Sequence, residues 1–135
     1  MTTVLVDSNV IMDVIPPGTQ WTAWSTEALR RVGGESVAVI NPIIYAELAA
    51  GFDSIEELEF ALPAEFYGRE HLPFEAAFLA GKAFFEYRRR GGTRRSPLPD
   101  FYIGAHAAVS GFKLLTRDAS RYRTYFPTLE IIAPS

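Results

Sequence analysis

Cysteine is absent from the 135 residues. Disulfides, zinc thiolates and a thiol nucleophile are therefore excluded, and the composition agrees with a reducing cytoplasm. Histidine is scarce, with two residues, His71 and His106. No apolar stretch approaches the roughly 20 residues that a membrane span needs. No secretory signal is read at the start, where Met1-Thr2-Thr3 leads straight into a strand-like run. A cytoplasmic protein is the expectation. There is no Gly-x-Ser-x-Gly elbow for a serine nucleophile. Gly81-Lys82 lacks the flanking residues of a phosphate loop.

What is present is apolar and acidic. Hydrophobic residues make up 48 % of the chain, enough for a packed core, and the length suits one domain over residues 1–135. Net charge is −3, with the signs segregated. Asp53 to Glu75 holds seven acids and one base, Arg69. Lys82 to Arg95 holds six bases (Lys82, Arg88, Arg89, Arg90, Arg94, Arg95) and one acid, Glu86. Such asymmetry points to two surfaces with different partners, or to a solvated helix end and a loop.

Strands and helices alternate along the chain. Thr3–Val6 reads as a short buried strand. A helix begins at Val10 and is stopped by Pro16-Pro17-Gly18. Trp21–Val32 has helical spacing, with Gly33-Gly34 as its end. Ser36–Ile40 is a β-branched strand. Asn41-Pro42 is a strong helix start, and that helix runs to about Ala50. Ile55–Leu62 is a short helix, acidic on one face. Glu65–Pro73 holds a polar third strand. Phe74–Arg90 follows the 3.6 period, and its phenylalanines, with Trp21 and Trp24, are first of all core candidates; an apolar patch for a partner is their second use. Pro99–Ser110 is helical and Gly111 ends it. Phe112–Thr116 and Leu129–Ala133 are strands, with a helix over Asp118–Tyr125 between them. The order predicts an α/β fold, a three-layer sandwich around a mainly parallel sheet of four to five strands.

Four acids stand out on this frame: Asp7, Glu47, Asp100 and Asp118. Asp7 closes the first strand. Asp118 follows the fourth strand closely. Asp100 lies in the first turn of its helix, and Glu47 is the lone charge in an apolar one. Each has a structural reading. Asp7 and Asp118 suit N-caps, and the helix dipole favours Asp100. Glu47 faces either a water-lined stripe or a cation, since an isolated buried carboxylate is costly. In an open parallel sheet, ligands bind at the carboxyl ends of the strands. Four carboxylates there repel one another unless a cation lies between them, and a hard divalent ion with oxygen ligands fits. His106, on an alanine-rich helix, reads as a satisfied core or supporting histidine.

Four stretches carry a resemblance. They are Val4-Leu5-Val6-Asp7-Ser8-Asn9, Asn41-Pro42-Ile43-Ile44-Tyr45-Ala46-Glu47-Leu48, Pro99-Asp100-Phe101-Tyr102-Ile103-Gly104-Ala105-His106-Ala107 and Leu114-Leu115-Thr116-Arg117-Asp118-Ala119-Ser120-Arg121-Tyr122. In order and spacing the chain resembles the PIN-domain ribonucleases, in particular the VapC-type toxins of bacterial toxin–antitoxin pairs. The resemblance implies a PIN-like sandwich and an acidic quartet of Asp7, Glu47, Asp100 and Asp118 around one or two Mg²⁺ or Mn²⁺ ions. Asn9 and Thr116 are then its polar companions. It also implies an RNA substrate, a small antitoxin partner and a homodimer. Two departures are Asn41, where the family often has Ser or Thr, and the bulky run Phe101-Tyr102-Ile103-Gly104. Arg88, Arg89, Arg90, Arg94 and Arg95 are candidate RNA contacts.

Three other readings compete. A phospho-accepting receiver needs an acceptor Asp after a central strand, and Asp53 follows a helix instead. A structure-specific DNA nuclease is expected to be longer. A catalytically silent PIN-like module that binds RNA or protein is separated from an enzyme by metal-dependent cleavage of RNA.

Overall fold

A computed structural model describes residues 1–135. Five strands form one sheet: β1 (Thr3–Val6), β2 (Val37–Ile40), β3 (Tyr67–Arg69), β4 (Lys113–Leu115) and β5 (Ile131–Ile132). Their order is β3-β2-β1-β4-β5, and every neighbouring pair is parallel. Seven helices connect them: α1 (Ser8–Val14), α2 (Thr22–Glu35), α3 (Pro42–Ala49), α4 (Ile55–Ala61), α5 (Phe74–Arg89), α6 (Pro99–Ser110) and α7 (Ser120–Tyr125). This is the expected α/β/α sandwich, with a sheet that is wholly rather than mainly parallel. Strands covered on both faces read as continuous apolar runs, which is why Val4-Leu5-Val6 and Ala38-Val39-Ile40 are buried throughout. No helix is long and apolar enough to cross a membrane.

The topology places the site. The chain steps from β1 outward through β2 to β3, then returns across the sheet to β4 on the other side of β1. Strand order therefore reverses between β1 and β4. The crevice at the carboxyl ends of those two strands is where such sheets bind ligands. Asp7 follows β1, and Thr116 to Asp118 follow β4.

Several boundaries differ from expectation. Helix α2 runs through Gly33-Gly34 to Glu35 instead of stopping there. The reason at Gly33 is tertiary: a Cβ would stand 2.6 Å from the Phe66 ring, so glycine serves close packing and not termination. The third strand shrinks to Tyr67–Arg69, the part that pairs with β2. Helix α1 begins at Ser8, with Asp7 as its cap. Other local signals act as read. Asn41 caps α3, its Oδ1 accepting from the Ile44 amide at 2.9 Å. Gly111 ends α6 in the left-handed conformation at φ 70°.

The phenylalanines of α5 do not go where a hydrophobic residue is expected. Ala76, Ala80 and Ala83 face the interior, while Phe74, Phe78 and Phe85 are 92 %, 69 % and 66 % exposed. Phe84 alone turns inward, onto Phe101 and Tyr87. Close packing of α5 on α6 needs small residues at the contact, and the periodicity of the helix does not reveal which apolar stripe is the inner one. Trp21 and Trp24 are half-buried at the edge of the core.

Candidate active site at the carboxyl edge of the sheet

Asp7 is the hub. Its burial is nearly complete, at 4 % exposure, because β1 is the central strand. Its Oδ1 accepts from the Ser8 amide at 2.8 Å, which is the cap of α1. Its Oδ2 accepts from the Thr116 hydroxyl at 2.9 Å and from the Tyr122 hydroxyl at 2.8 Å. The structural and functional readings of Asp7 thus use different oxygens. Asn9 joins the same cluster. Its amide donates to Thr116 Oγ1 at 3.3 Å, and its Oδ1 accepts from the Arg117 amide at 3.2 Å. Asn9 and Thr116 therefore stand beside Asp7, with Thr116 in direct contact.

Asp100 comes from the first turn of α6, across the crevice. The Tyr122 hydroxyl lies 3.4 Å from its Oδ1, so one phenol links Asp7 to Asp100. Arg121 pairs with the other oxygen at 3.4 Å. Glu47 is half-buried and accepts from the Ser8 hydroxyl at 2.9 Å. Its α3 helix points it at the other acids rather than at a water-lined stripe. Asp118 is not a helix cap: α7 starts at Ser120 behind Ala119, with no side-chain cap. Its backbone amide instead donates to Thr116 Oγ1 at 3.2 Å, which ties the loop after β4 to the hub.

Electrostatics agree with this crowding. Burial pushes Asp7 above the usual carboxylate range, against the hydrogen bonds of Tyr122 and Thr116, and the charge of Asp100 adds to the rise. Glu47 is raised by burial too, and by the charges of Asp7 and Asp100. Asp100 is raised by burial, with Arg121 and Tyr122 opposing and the charge of Asp118 assisting. Tyr122 is held well above its ordinary value by burial and by Asp7, Asp100 and Glu47. It therefore stays a donor. All four acids of the expected quartet are coupled, by hydrogen bond or by charge.

Two residues carry this arrangement without any signal in the four-acid pattern. Tyr122 looks like an ordinary helix aromatic, and Ser8 is legible only as a short polar residue after Asp7. Only the fold shows the tyrosine hydroxyl between two carboxylates and the serine hydroxyl on a third. Arg121 is a third such residue, a surface arginine in sequence and the counter-ion of Asp100 in space.

The donor set is all oxygen: four carboxylates, the Thr116 hydroxyl and the Asn9 amide. That is the chemistry of a site for Mg²⁺ or Mn²⁺. As the side chains stand, however, no three of the chain's His, Asp or Glu residues close on a single point tightly enough to hold an ion. Tyr122, Ser8 and Arg121 occupy carboxylate oxygens that a cation would otherwise share. The residues fit a hard cation by donor type, while their side chains as they stand are turned to those protein partners.

A second acidic centre lies close by and was not expected. Asp13 is fully buried, yet both of its carboxylate oxygens are hydrogen-bonded. Arg117 Nε donates to Oδ2 at 2.8 Å, Ser25 to the same oxygen at 2.7 Å, and Thr19 to Oδ1 at 2.7 Å. Burial pushes its carboxyl up, but these donors outweigh it and the net shift is downward. Arg117 also rests on the Trp21 ring, 5.9 Å from its centroid. Because Arg117 sits between Thr116 and Asp118, Asp13 anchors the loop that carries both.

His106 is a core histidine, but not a satisfied one. Its Nδ1 pairs with the Asn41 amide at 3.0 Å, while the buried Nε2 has no partner. The five candidate RNA-binding arginines lie at the end of α5 and in the loop before α6. Arg89 and Arg90 pair with Glu86, and Arg88 donates to the Arg94 carbonyl at 2.6 Å. The Arg90 guanidinium stands 5.4 Å from the Tyr125 ring centroid. Tyr125 packs in turn on Phe101, the neighbour of Asp100. The basic segment thus reaches α7 through Tyr125, and precedes Asp100 in sequence.

The model of the PIN domain family matches residues 4–127. No curated protein matches the chain by sequence. Among solved structures, the chain is similar to VapBC2 from Rickettsia felis, bound to a DNA fragment from its promoter. The TM-score there is 0.75, at 16 % identity, over 99 % of this chain and 100 % of that one. VapBC-1 from nontypeable Haemophilus influenzae gives a TM-score of 0.72 at 20 % identity, over 98 % of both chains. VapC20 from Mycobacterium tuberculosis, described as a sarcin–ricin loop cleaving toxin, gives 0.58 at 15 % identity, over 90 % of this chain and 94 % of that one. At such identities the likeness is one of fold.

Proposed function

The chain belongs to the PIN-domain family, and from that premise we propose that it is a metal-dependent endoribonuclease, the toxin of a toxin–antitoxin pair. The observation that carries the proposal is the meeting of Asp7 and Asp100 at one tyrosine hydroxyl, with Glu47 and Asp118 acting on them by charge. Buried carboxylates without enough cationic partners are costly to a fold. Of the four, Asp7 is buried, Glu47 and Asp100 are half-buried and Asp118 is exposed, and a protein that gathers them at its topological switch point keeps them for a ligand.

Asp7 and Asp100 are the direct ligands of a divalent ion in this reading. Asp118 and Glu47 hold a second ion or orient water. The bound metal supplies charge neutralisation at the phosphate, an activated water and stabilisation of the leaving oxygen. The chain's own groups do the rest. Thr116 and Tyr122 fix the Asp7 carboxylate, and Ser8 fixes Glu47. Arg121 neutralises Asp100 at the mouth of the crevice and is free to turn to a phosphate once a cation relieves it. The arginines of the α5–α6 segment attract the RNA backbone, since a guanidinium can bond two phosphate oxygens at once.

An RNA substrate is supported by the PIN membership, and by the activity that the name of VapC20 records for that protein. An antitoxin partner is supported by the toxin–antitoxin complexes among the similar structures. Its docking place is expected on α2 or on α3–α4. Between the end of α1 and the α3–α4 segment a groove of about 480 Å³ is lined by Met12, Ile15, Leu48 and Phe52. A homodimer of one PIN-like domain, residues 1–135, completes the reading.

The test is cleavage of RNA by pure protein with Mg²⁺ or Mn²⁺ and with chelator. Cleavage that needs metal and is lost in Asp7→Asn is the expected result. A silent PIN-like module that binds RNA or protein is the second reading. It is favoured by the one fact that no three acids close on an ion as they stand. RNA binding without cleavage at any divalent metal would establish it.

A further inference from the structure

The carboxyl edge of the sheet holds a second recess beside the acidic crevice. It is a cavity of about 380 Å³, lined in part by Pro42, Tyr45, Glu59, Arg69, Glu70 and His71. Strand register fixes its distance from Asp7. Leu5 is opposite Val39, and Ile40 is opposite Arg69. Carried past the strand ends, Asp7, Asn41 and Glu70 fall in one row, and the Glu70 amide still donates to the Ile40 carbonyl at 2.9 Å. Neighbouring strands lie about 4.8 Å apart, so the backbone of Glu70 stands roughly 10 Å from that of Asp7. One nucleotide spans that gap from its phosphate to the edge of its base.

Most polar groups around the recess are already spent within the chain. Arg69 Nη1 donates to the Tyr67 carbonyl at 2.7 Å. Its Nη2 donates to the Leu62 carbonyl at 2.8 Å and to both Glu59 oxygens at 3.1 Å. The Tyr45 hydroxyl donates to Glu59 at 2.7 Å, and the Arg69 guanidinium stands 6.0 Å from the Tyr45 ring centroid. Ring and guanidinium are thus held in place by their edges, and their faces remain. Asn41 is spent as well, on the Ile44 amide and on His106. Glu70 is the exception. Its carboxylate is exposed and has no cationic partner in the chain.

We propose that this recess is a base subsite of the acidic crevice, which holds a guanine of single-stranded RNA next to the scissile phosphate. The substrate class rests on the ribonuclease reading above, and the choice of base rests on Glu70. Unpaired RNA bases are read by stacking on aromatic rings and guanidinium planes and by hydrogen bonds to their edges. Tyr45 and Arg69 supply the stack. A carboxylate accepts two parallel N–H bonds on its two oxygens. Among the four RNA bases, guanine alone carries two adjacent N–H donors on its Watson–Crick edge, at N1 and at the 2-amino group. Adenine and cytosine offer an amino group beside an acceptor nitrogen, and uracil one N–H between two carbonyls. Each of those acceptors would face the carboxylate and be repelled. A phosphate is disfavoured in the recess, because Glu59 already neutralises Arg69 and Glu70 is unpaired.

The experiment is fluorescence anisotropy of the full chain with short labelled oligouridines that carry one central guanine, inosine, adenine or uracil, in Ca²⁺ to suppress turnover. Circular dichroism checks the folding of each variant. The guanine strand should bind about tenfold more tightly than the uracil strand, and than the inosine strand, which lacks only the 2-amino group. Glu70→Gln should erase that preference and leave the affinity for the uracil strand, and its cleavage in Mg²⁺, unchanged. Tyr45→Leu should weaken every strand, because stacking tolerates any base. Equal affinities for the four strands, or none measurable, overturn the proposal and leave the recess to a protein partner. A guanine preference that survives Glu70→Gln overturns the assignment to this recess. Guanine-selective binding without cleavage at any divalent metal keeps the subsite and removes the nuclease reading. Cleavage without guanine preference does the reverse.

Discussion

Asp7 and Asp13 are six residues apart and both buried, yet their surroundings are opposite. Asp13 has a guanidinium and two hydroxyls on its two oxygens, and its pKa is lowered. Asp7 has two hydroxyls and an amide, the charge of Asp100 beside it, and a raised pKa. Burial alone does not tell a working carboxylate from a supporting one. The balance of partners does. At Asp13 the chain completes the charge with its own arginine. At Asp7 the chain supplies hydroxyls and an amide but no cation.

The largest expected effect tests the working half of that contrast. Asp7→Asn and Asp100→Asn should each lower RNA cleavage at saturating Mg²⁺ by at least about 100-fold. A metal supplies several kcal/mol of charge stabilisation, and 1.36 kcal/mol is worth a factor of ten. Both variants should stay folded, because Asn keeps the shape. Full cleavage by either would remove these residues from the site.

The supporting half should break differently. Asp13→Ala strands Arg117 and should cost about 3–5 kcal/mol in urea unfolding, the usual range for breaking a buried ion pair. Asp7→Asn should instead leave the metal-free protein as stable or more so, since it relieves repulsion. If the two substitutions cost the same, the contrast between the acids is not real.

Metal should sharpen the difference. A ligand that binds only the folded state adds about 2.7 kcal/mol at a hundredfold excess over its Kd. Mn²⁺ should raise the melting temperature of the wild type clearly and of Asp7→Asn little. Equal shifts in the two proteins would argue against a shared site.

Acid should act on the two centres in opposite senses. Asp7, Glu47 and Asp100 have raised values, so the folded metal-free protein binds protons before the unfolded chain does. Their strain is present at neutral pH and is relieved as pH falls through the raised values. Asp13 is lowered, so its contribution is held above the ordinary 3.8 and lost as pH falls below that through its folded value. Unfolding free energy in chelator should therefore rise on mild acidification and then fall. The rise should shrink in Asp7→Asn. A monotonic fall from neutral pH in the wild type would contradict the raised values.

The smallest effect concerns the basic border. Replacing Arg89, Arg90 and Arg94 with Gln should weaken RNA binding and leave the cleavage position unchanged. With Ca²⁺ to suppress turnover, the slope of log K against log salt should flatten by roughly 0.7 per lost contact to a single strand. An unchanged slope would leave Arg89 and Arg90 as the partners of Glu86, and Arg94 as surface.

Local composition and period were enough to place most elements, because short apolar runs and capping signals such as Asn41-Pro42 and Gly111 act over a few residues. They were also enough to pick out Asp7, Glu47, Asp100 and Asp118, since a lone acid at the end of an apolar run is visible in one dimension. What they could not reach depends on contacts between distant segments. Gly33 reads as a helix stop until Phe66 is seen against it. Tyr122 is unremarkable until the parallel sheet brings the ends of β1 and β4 together. The phenylalanines of α5 follow the period of a buried stripe, and only the packing of α5 on α6 shows alanine turned inward. A helical period reveals that faces differ. Which face meets the core is set by the neighbour, and the neighbour comes from elsewhere in the chain.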